Sequence, residues 1–205
     1  LHDALRSRSQ ARIPRTLNYR PSSLLPIIAK VMEKYVTQEL GEFLLDNFIL
    51  SPRQAGFRPG HSTKAVMLSV LDDLRRMADH DRPAALVLLA LTEAFDTVER
   101  KILLARLESA GVGGVALRWF ESFLTDRTYA VHMGPYVSRE RPLMCVPQGL
   151  SLSPILFNVY IEPLVTALIQ RHCNIYNYAD DPQIIIGLDS TCDGQTKVQE
   201  SFHFV

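Results

Sequence analysis

Two adjacent aspartates, Asp180 and Asp181, are the residues of this sequence best suited to chemistry. They stand between two apolar segments, 175–178 and 183–188, which favours a hairpin with both carboxylates at its tip. Like charges repel and aspartate is depleted from strands, so such a pair calls for compensation. A divalent cation such as Mg²⁺ would supply it, because it takes carboxylate oxygens and keeps positions for phosphate. The alternative is a solvated turn, where aspartate is common.

Three other segments place glycine, proline and polar side chains at the entrances of predicted helices. Val146-Pro147-Gln148-Gly149 lies before Ser153-Pro154, and glycine there permits close backbone approach. The segment 56–63 carries Arg58 among glycines, a suitable place to hold a triphosphate. The segment 18–21, Asn-Tyr-Arg-Pro, is a further basic turn. Taken alone, each could equally be a turn, a connector or a surface cap.

Composition limits the class of protein. The 205 residues are 47% hydrophobic, enough for a sizeable core, and 22 basic residues balance 22 acidic ones. Because the net charge is zero, a basic surface that binds nucleic acid must be confined to one part of the chain. The best candidate for such a basic surface is the N-terminal stretch, although the same stretch could equally be a frayed basic terminus. Its arginines are Arg6, Arg8, Arg12, Arg15 and Arg20.

Cysteine usage and hydropathy bear on the compartment. Cys145, Cys173 and Cys192 have no CxxC spacing, which argues against a zinc site and a disulfide framework and favours a reducing intracellular setting, nucleus or cytoplasm. The longest apolar run, 84–91, is far shorter than the ~20 residues of a membrane span, so we expect no membrane partner. The chain begins at Leu1, which suggests a fragment of a longer product.

The elements that would position these residues alternate between helix and strand, which favours a mixed α+β core. Helical patterns follow Ser23, a candidate cap, and Ser62 or Thr63, and two more cover 98–109 and 115–124. The unbroken apolar run 84–91 predicts a central strand covered on both faces. A hairpin is predicted over 128–144, and Ser153-Pro154 is expected to open a helix with buried Ile155, Val159, Leu164 and Leu168.

Taken in order, the segments 18–21, 54–63, 91–98, 146–158 and 178–181 resemble the successive motifs of reverse transcriptases of non-LTR (LINE-type) retrotransposons. The resemblance runs over about 18–188. It implies a right-hand polymerase fold with fingers and palm subdomains, an antiparallel palm sheet with packed helices, and no thumb. A basic segment 1–17 would precede this domain and a truncated tail 189–205 would follow it.

The resemblance also implies a reaction, which is DNA synthesis with dNTPs on an RNA template from a DNA primer, using Mg²⁺. By match to the motifs, Asp180 and Asp181 are the catalytic metal ligands, Asp180 the more direct one. Phe95 would lie beneath the incoming sugar and exclude a 2′-OH. Gln148 and Gly149 would lie along the template base and nucleotide, and Arg58 would meet the triphosphate. Arg20 and Arg53 are the expected nucleic-acid contacts. The oligomeric state is not implied.

Ala90 departs from the family, which carries a third catalytic aspartate at the matching position. A methyl group cannot coordinate a metal, so the resemblance implies an impaired polymerase. Glu93 and Asp96 lie beyond the expected strand end and are poorly placed to replace the aspartate. Pro182, without an N–H, is expected to weaken the hairpin. The alternatives are a non-catalytic remnant that binds RNA and DNA, and a relic without activity.

Overall fold

A computed structural model describes residues 2–7, 19–58, 60–89, 91, 94–143, 146–147, 149–171 and 173–188, with side chains from residue 23 onward. Contacts divide the chain into two compact units. The first comprises Leu1–Ile49 and Glu93–Tyr160, and the second comprises Leu50–Thr92 and Ile161–Val205. Each unit therefore joins two separate stretches of the sequence.

The first unit combines short strands with three helices and the beginning of a fourth. Strand β1 pairs antiparallel with β2 and parallel with β4, and β4 pairs antiparallel with β5 and β6. Leucines on the helices, among them Leu44, Leu103 and Leu156, are fully buried. The elements are β1 (His2–Ser7), β2 (Tyr19–Leu24), α1 (Ile27–Asp46), α3 (Arg100–Ser109), α4 (Gly114–Leu124), β4 (Thr128–Met133), β5 (Tyr136–Val137) and β6 (Arg141–Pro142), with α2 and β3 in the second unit.

The second unit contains a three-stranded antiparallel sheet in the order β3-β8-β7. One apolar cluster on this sheet includes Val165, Leu168, Ile175 and Ile184, and another joins it to α2 through Val66, Val70 and Ile185. The elements are α2 (Thr63–Asp79), β3 (Ala84–Leu88), β7 (Asn174–Tyr178) and β8 (Asp181–Gly187). Helix α5 (Leu152–Gln170) begins in the first unit and ends in the second.

The predicted helix after Ser23 exists, but it starts later than expected, and of the apolar recurrence at Ile27, Leu40 and Leu44 only the last two positions are buried. Residues up to Leu24 belong to β2, and α1 has Pro26 at its N-cap. The residue before a proline is disfavoured in helical conformation, which delays the helix beyond Leu25. The apolar residues of its first turns are exposed, Ile27 by 81%, and the buried positions are Glu33, Leu40 and Leu44.

Helix α2 begins where its local signals predict. The Ser62 side chain accepts the Ala65 N–H at 3.2 Å, a regular N-cap. The apolar pattern of this segment predicts that Val66, Leu68 and Leu71 face inward, but only Val66 is buried, and Leu68 and Leu71 are exposed by 68% and 51%. The inward face of α2 is therefore narrower than the apolar pattern suggests.

Strand β3 is not central in the described sheet. It lies at one edge and β8 lies in the middle, so the prediction for 84–91 is wrong in position. Leu86 and Leu88 are exposed by 42% and 67%. An apolar run specifies an extended segment, but it does not specify which strand acquires two neighbours.

The remaining helices and the β7–β8 hairpin follow the sequence patterns within about two residues, whereas the second arm of the hairpin predicted over 128–144 forms two separate short strands, β5 and β6. Ser153, however, lies inside α5, and its hydroxyl donates to the Pro147 carbonyl instead of capping the helix. Among described helices, α5 alone is long and apolar enough to cross a membrane, with mean hydropathy 1.6. Core helices of soluble proteins share this property, and more than half of that stretch is buried in the fold.

Candidate active site

The hairpin β7–β8 presents Asp180 and Asp181 at its turn. Its strands pair in register up to Tyr178↔Asp181, and its arms are held by buried isoleucines such as Ile175 and Ile184. Ala179 has a φ of 59°, a left-handed conformation that non-glycine residues adopt rarely and at a cost. Asp180 is partly buried and Asp181 is exposed. The fold therefore holds two carboxylates side by side on a strained turn.

Within the described part of the chain, neither carboxylate has a hydrogen-bond or ion-pair partner. Nor do these residues contain a group of three or more Asp, Glu, His or Cys side chains able to hold a metal ion. Two carboxylates with open positions still suit Mg²⁺, which keeps several waters and is commonly bound by one or two carboxylates plus substrate phosphates. The donor set thus fits a hard cation.

Residues 53–56, here called the flanking segment, run parallel to β7 beside the turn. Gln54 forms a bridge with Asn177, the Ala55 N–H donates to the Asn177 carbonyl at 2.8 Å, and the Asn177 N–H donates to the Arg53 carbonyl at 3.0 Å. Gln54 and Asn177 are both fully buried. The flanking segment therefore adds a short strand to the edge of the hairpin, next to the aspartates.

The same bonds explain why Pro182 leaves the hairpin intact. Pro182 faces Asn177, whose N–H and carbonyl both point to the flanking segment. The pair is therefore a non-hydrogen-bonded one, and the N–H that proline lacks would not face β7. Its carbonyl accepts from Leu89 at 3.0 Å. The expected weakening of the β7–β8 pairing does not occur.

Arg58 is bound to its own loop. Its Nη1 donates to the carbonyls of Ser51 at 2.8 Å and Gln54 at 3.0 Å, and its Nε is buried without a partner among the described residues. Glu162 of α5 accepts the Ser51 N–H at 3.1 Å. Burial raises the pKa of Glu162, an effect that the Ser51 N–H, Thr166 and the Arg58 charge oppose. Arg58 and Glu162 together close the loop 51–58.

Arg53, in contrast, keeps its side chain exposed at the surface of this unit. Its guanidinium carbon lies 4.9 Å from the ring centroid of Tyr176, within cation–π range. The Tyr176 hydroxyl donates to Asp73 of α2 at 2.5 Å, and Asn174 donates to the same oxygen at 2.9 Å. Burial, followed by the bond to Asp73, raises the pKa of Tyr176. A fixed ring thus supports an accessible cation.

Phe95 and Gly149 belong to the first unit. Phe95 is 7% exposed, and its ring lies 5.2 Å from that of Phe157 at an angle of 44°, so its orientation is fixed by packing. Gly149 has a φ of 86°, a conformation that favours glycine. Downstream of it, Glu33 of α1 accepts the N–H of Leu152 at 2.8 Å. A buried carboxylate therefore anchors the start of α5.

Comparison with known proteins decides the family. The family model described as "Reverse transcriptase (RNA-dependent DNA polymerase)" matches residues 11–205. The chain belongs to the reverse transcriptase family, in its LINE-type branch. It is 29% identical over 189 residues to the RNA-directed DNA polymerase from mobile element jockey of Drosophila melanogaster, covering 89% of this chain and 20% of that protein.

Other relatives and a solved structure agree. Identity is 30% over 179 residues to the "Probable RNA-directed DNA polymerase from transposon X-element" of Drosophila melanogaster, covering 86% of this chain and 19% of that protein. This reverse transcriptase domain thus spans about a fifth of those relatives. Apo telomerase from Candida tropicalis, truncated from its C-terminal domain, superposes with a TM-score of 0.61 at 14% identity, covering 98% of this chain and 46% of that one. The fold is a polymerase fold.

Several residues expected in the site of this reverse transcriptase lie outside the described residues, namely Ala90, Glu93 and Gln148. The basic segment 1–17 and the tail 189–205 lie largely or wholly outside them, and the side chain of Arg20 is likewise not described. The structure groups Arg53, Arg58 and the Asp pair in the second unit, and Phe95 and Gly149 in the first.

Sequence reasoning missed three acidic side chains that organise these regions, Glu33, Asp73 and Glu162. One signal was present for Glu33. It lies seven residues before Leu40 and eleven before Leu44, on the buried face of α1. An acid on an apolar helix stripe indicates a buried partner. The hydrogen-bond partners of Asp73 and Glu162, like that of Glu33, are a hundred or so residues away in the chain, so no local pattern identifies those partners.

Proposed function

We propose that this reverse transcriptase domain derives from an enzyme that adds dNTPs to a DNA primer on an RNA template, and that this copy is impaired. The observation that carries the proposal is the Asp180–Asp181 turn on an apolar hairpin, whose two carboxylates have no partner among the described residues. Ala90 supports the impairment, because by resemblance to the family motif this alanine stands at the position that matches the third catalytic aspartate.

We assign residues 18–188 to fingers and palm, with a basic segment at 1–17 and a truncated tail at 189–205. The antiparallel sheet β3-β8-β7, which carries the Asp pair, supports the palm assignment. A pair of carboxylates at a sheet end, one partly buried and one exposed, is where a polymerase palm would meet a primer terminus.

Asp180 and Asp181 are the residues that would hold Mg²⁺. When bound, two such ions stabilise the attacking and leaving oxygens of a phosphoryl transfer. With alanine at position 90, one bridging ligand is missing. If several kcal/mol of stabilisation is lost at about 1.4 kcal/mol per tenfold, the rate falls on the order of a thousandfold.

The remaining residues would orient substrate. The packed ring of Phe95 has the rigidity needed to reject a 2′-OH on an incoming nucleotide. The left-handed Gly149, after Gln148, allows backbone to approach a template base. Nη1 of Arg58 is engaged by two carbonyls, so any contact with a triphosphate would use its other donors.

Primer extension tests this proposal. The 205-residue chain and its Ala90→Asp variant are compared on an RNA template with a DNA primer, dNTPs and Mg²⁺. We expect little synthesis by the unaltered chain and a gain on the order of a thousandfold in the variant. Asp180→Asn in the Ala90→Asp background is the matched control and should abolish the gain. Robust synthesis by the unaltered chain contradicts the impairment.

A second candidate function is a non-catalytic remnant that binds RNA and DNA. It is favoured by Arg53, whose exposed guanidinium is supported on the Tyr176 ring, and it would also use Arg20 and the N-terminal arginines. Binding to an RNA:DNA hybrid should then fall with salt, with nearly one unit of log–log slope per neutralised phosphate. Arg53→Ala should reduce that slope by about one unit. Salt-independent binding excludes this candidate.

A further inference from the structure

Gly56 of the flanking segment lies against the turn that carries the aspartates, with no room for a side chain. A Cβ added to Gly56 would lie 2.2 Å from the backbone N of Ala179 and 2.8 Å from its Cα, and 3.1 Å from the carbonyl carbon of Tyr178. Real Cβ contacts essentially never fall below 3.0 Å. Glycine is needed at 56 because of this contact, since its φ lies outside the left-handed region.

Ala179, the residue that a side chain at position 56 would meet, has the left-handed φ of 59°. Such a conformation persists in a non-glycine residue only when its surroundings impose it. The hydrogen bonds of Arg53 and Ala55 to Asn177 hold the flanking segment in register beside β7. The backbone of Gly56 is therefore fixed against the residue that immediately precedes Asp180.

The other end of the same loop is anchored away from the turn. Arg58 closes the loop on the carbonyls of Ser51 and Gln54, and Glu162 holds the Ser51 N–H. The Gln54 side chain also accepts the N–H of Gly56 at 3.3 Å. Hydrogen bonds therefore connect Ser51, Gln54 and Gly56 within this loop.

We propose that Gly56 is a positioning residue for the catalytic turn, and that Glu162 maintains it by anchoring the loop at Ser51. The inference rests on the proposed function in one respect: the placement of Asp180 and Asp181 matters for metal and nucleotide only if the site is a polymerase site. The packing itself is independent of whether this copy polymerises. A displacement of about 1 Å at a reacting group costs on the order of a hundredfold in rate.

The first test measures the turn directly. Hydrogen–deuterium exchange of a peptide covering 174–182 is compared between the unaltered chain, Gly56→Ala and Gly187→Ala. Gly187 is the matched control, because its added Cβ meets only the Met77 methyl at 3.4 Å, the end of a flexible side chain. We expect faster exchange in Gly56→Ala alone, with exchange in α2 unchanged. Unchanged exchange at 174–182 overturns the positioning role.

Glu162 provides a second route if Gly56→Ala does not fold. Glu162→Ala removes the acceptor of the Ser51 N–H, whereas Glu162→Gln keeps an oxygen at that position. We expect faster exchange at 174–182 in the alanine variant and near-normal exchange in the glutamine variant. Equal exchange in the unaltered chain and Glu162→Ala overturns the role of Glu162.

The consequence for the site is read from Mn²⁺ affinity and from kinetics in the Ala90→Asp background. Gly56→Ala should weaken Mn²⁺ binding that depends on Asp180 by on the order of tenfold or more. It should lower kcat with little change in KM for dNTP, because Gly56 itself packs against the turn that carries the aspartates. Gly56→Ala could speed exchange at 174–182 while the Ala90→Asp parent shows no Mn²⁺ binding that depends on Asp180. That result contradicts the proposed function, but it still supports the packing role of Gly56. Faster exchange with unaltered Mn²⁺ affinity and kcat contradicts the positioning role.

Discussion

Glu33 of α1 accepts a hydrogen bond from the backbone N–H of Leu152, the first residue of α5, across 119 positions of sequence. The carboxylate is buried, with 3% of the residue exposed. The first N–H groups of a helix have no partner inside the helix, and negative charge is favourable there. Glu33 therefore acts as a distant cap that fixes where α5 begins, just after Gly149.

Glu33→Ala should lower the free energy of unfolding by about 1–3 kcal/mol, because it leaves a buried N–H without an acceptor. Glu33→Gln should cost less, since an amide oxygen can still accept from Leu152. Burial lowers the pKa of Arg127, and the negative charge of Glu33 opposes this effect, so Glu33→Gln removes that opposition. Urea unfolding measures both. Glu42→Ala on the same helix, which loses an exposed contact with Gln38, should cost under about 0.5 kcal/mol. Equal losses in Glu33→Ala and Glu42→Ala would contradict the cap.

The contrast between Ser62 and Glu33 shows what the sequence could predict. Ser62 caps α2 through an N–H three residues away, so a local pattern is sufficient. Glu33 caps α5 through the tertiary fold, which no local pattern contains. The hairpin around the Asp pair was predictable because two apolar segments lie on either side of a short turn. The flanking segment beside the hairpin was not predictable. A bridge between Gln54 and Asn177 depends on two segments meeting in space.

Glu162 should make stability depend on pH in the weakly acidic range. Its pKa is raised in the folded chain, so folding favours the protonated carboxyl. That contribution is fully present below the unfolded pKa of about 4.5 and is lost as the pH rises through the folded pKa. The difference in unfolding free energy between Glu162→Gln and the unaltered chain should therefore grow in favour of the variant from pH 4 to pH 7. Urea unfolding across this range measures it, and a constant difference would contradict the raised pKa.

Ile184 faces Ile175 across the hairpin, and both are almost completely buried. Ile184→Ala should lower the free energy of unfolding by about 2–5 kcal/mol, and Ile184→Val by about 0.5–1.5 kcal/mol. Leu88→Ala is the control from the same sheet, because Leu88 is 67% exposed and should cost within about 0.5 kcal/mol. Thermal or chemical unfolding distinguishes them. A similar loss in Ile184→Ala and Leu88→Ala would show that the hairpin is not part of the core.

Tyr176 connects the sheet to α2 through its hydroxyl bond to Asp73. Tyr176→Phe should cost about 1–2 kcal/mol at neutral pH, because a hydrogen bond to a charged acceptor is lost while Asn174 continues to donate to Asp73.

Burial raises the pKa of the Tyr176 phenol, so the folded chain disfavours the phenolate. The contribution of Tyr176 is present below the unfolded pKa of about 10 and declines as the pH rises through the folded pKa. The stability difference between the unaltered chain and Tyr176→Phe should therefore shrink above about pH 10, as measured by urea unfolding with parallel tyrosinate absorbance. A difference that stays constant to pH 11 would mean that the hydroxyl is free to ionise in the fold, and that Arg53 rests on a ring without this anchor.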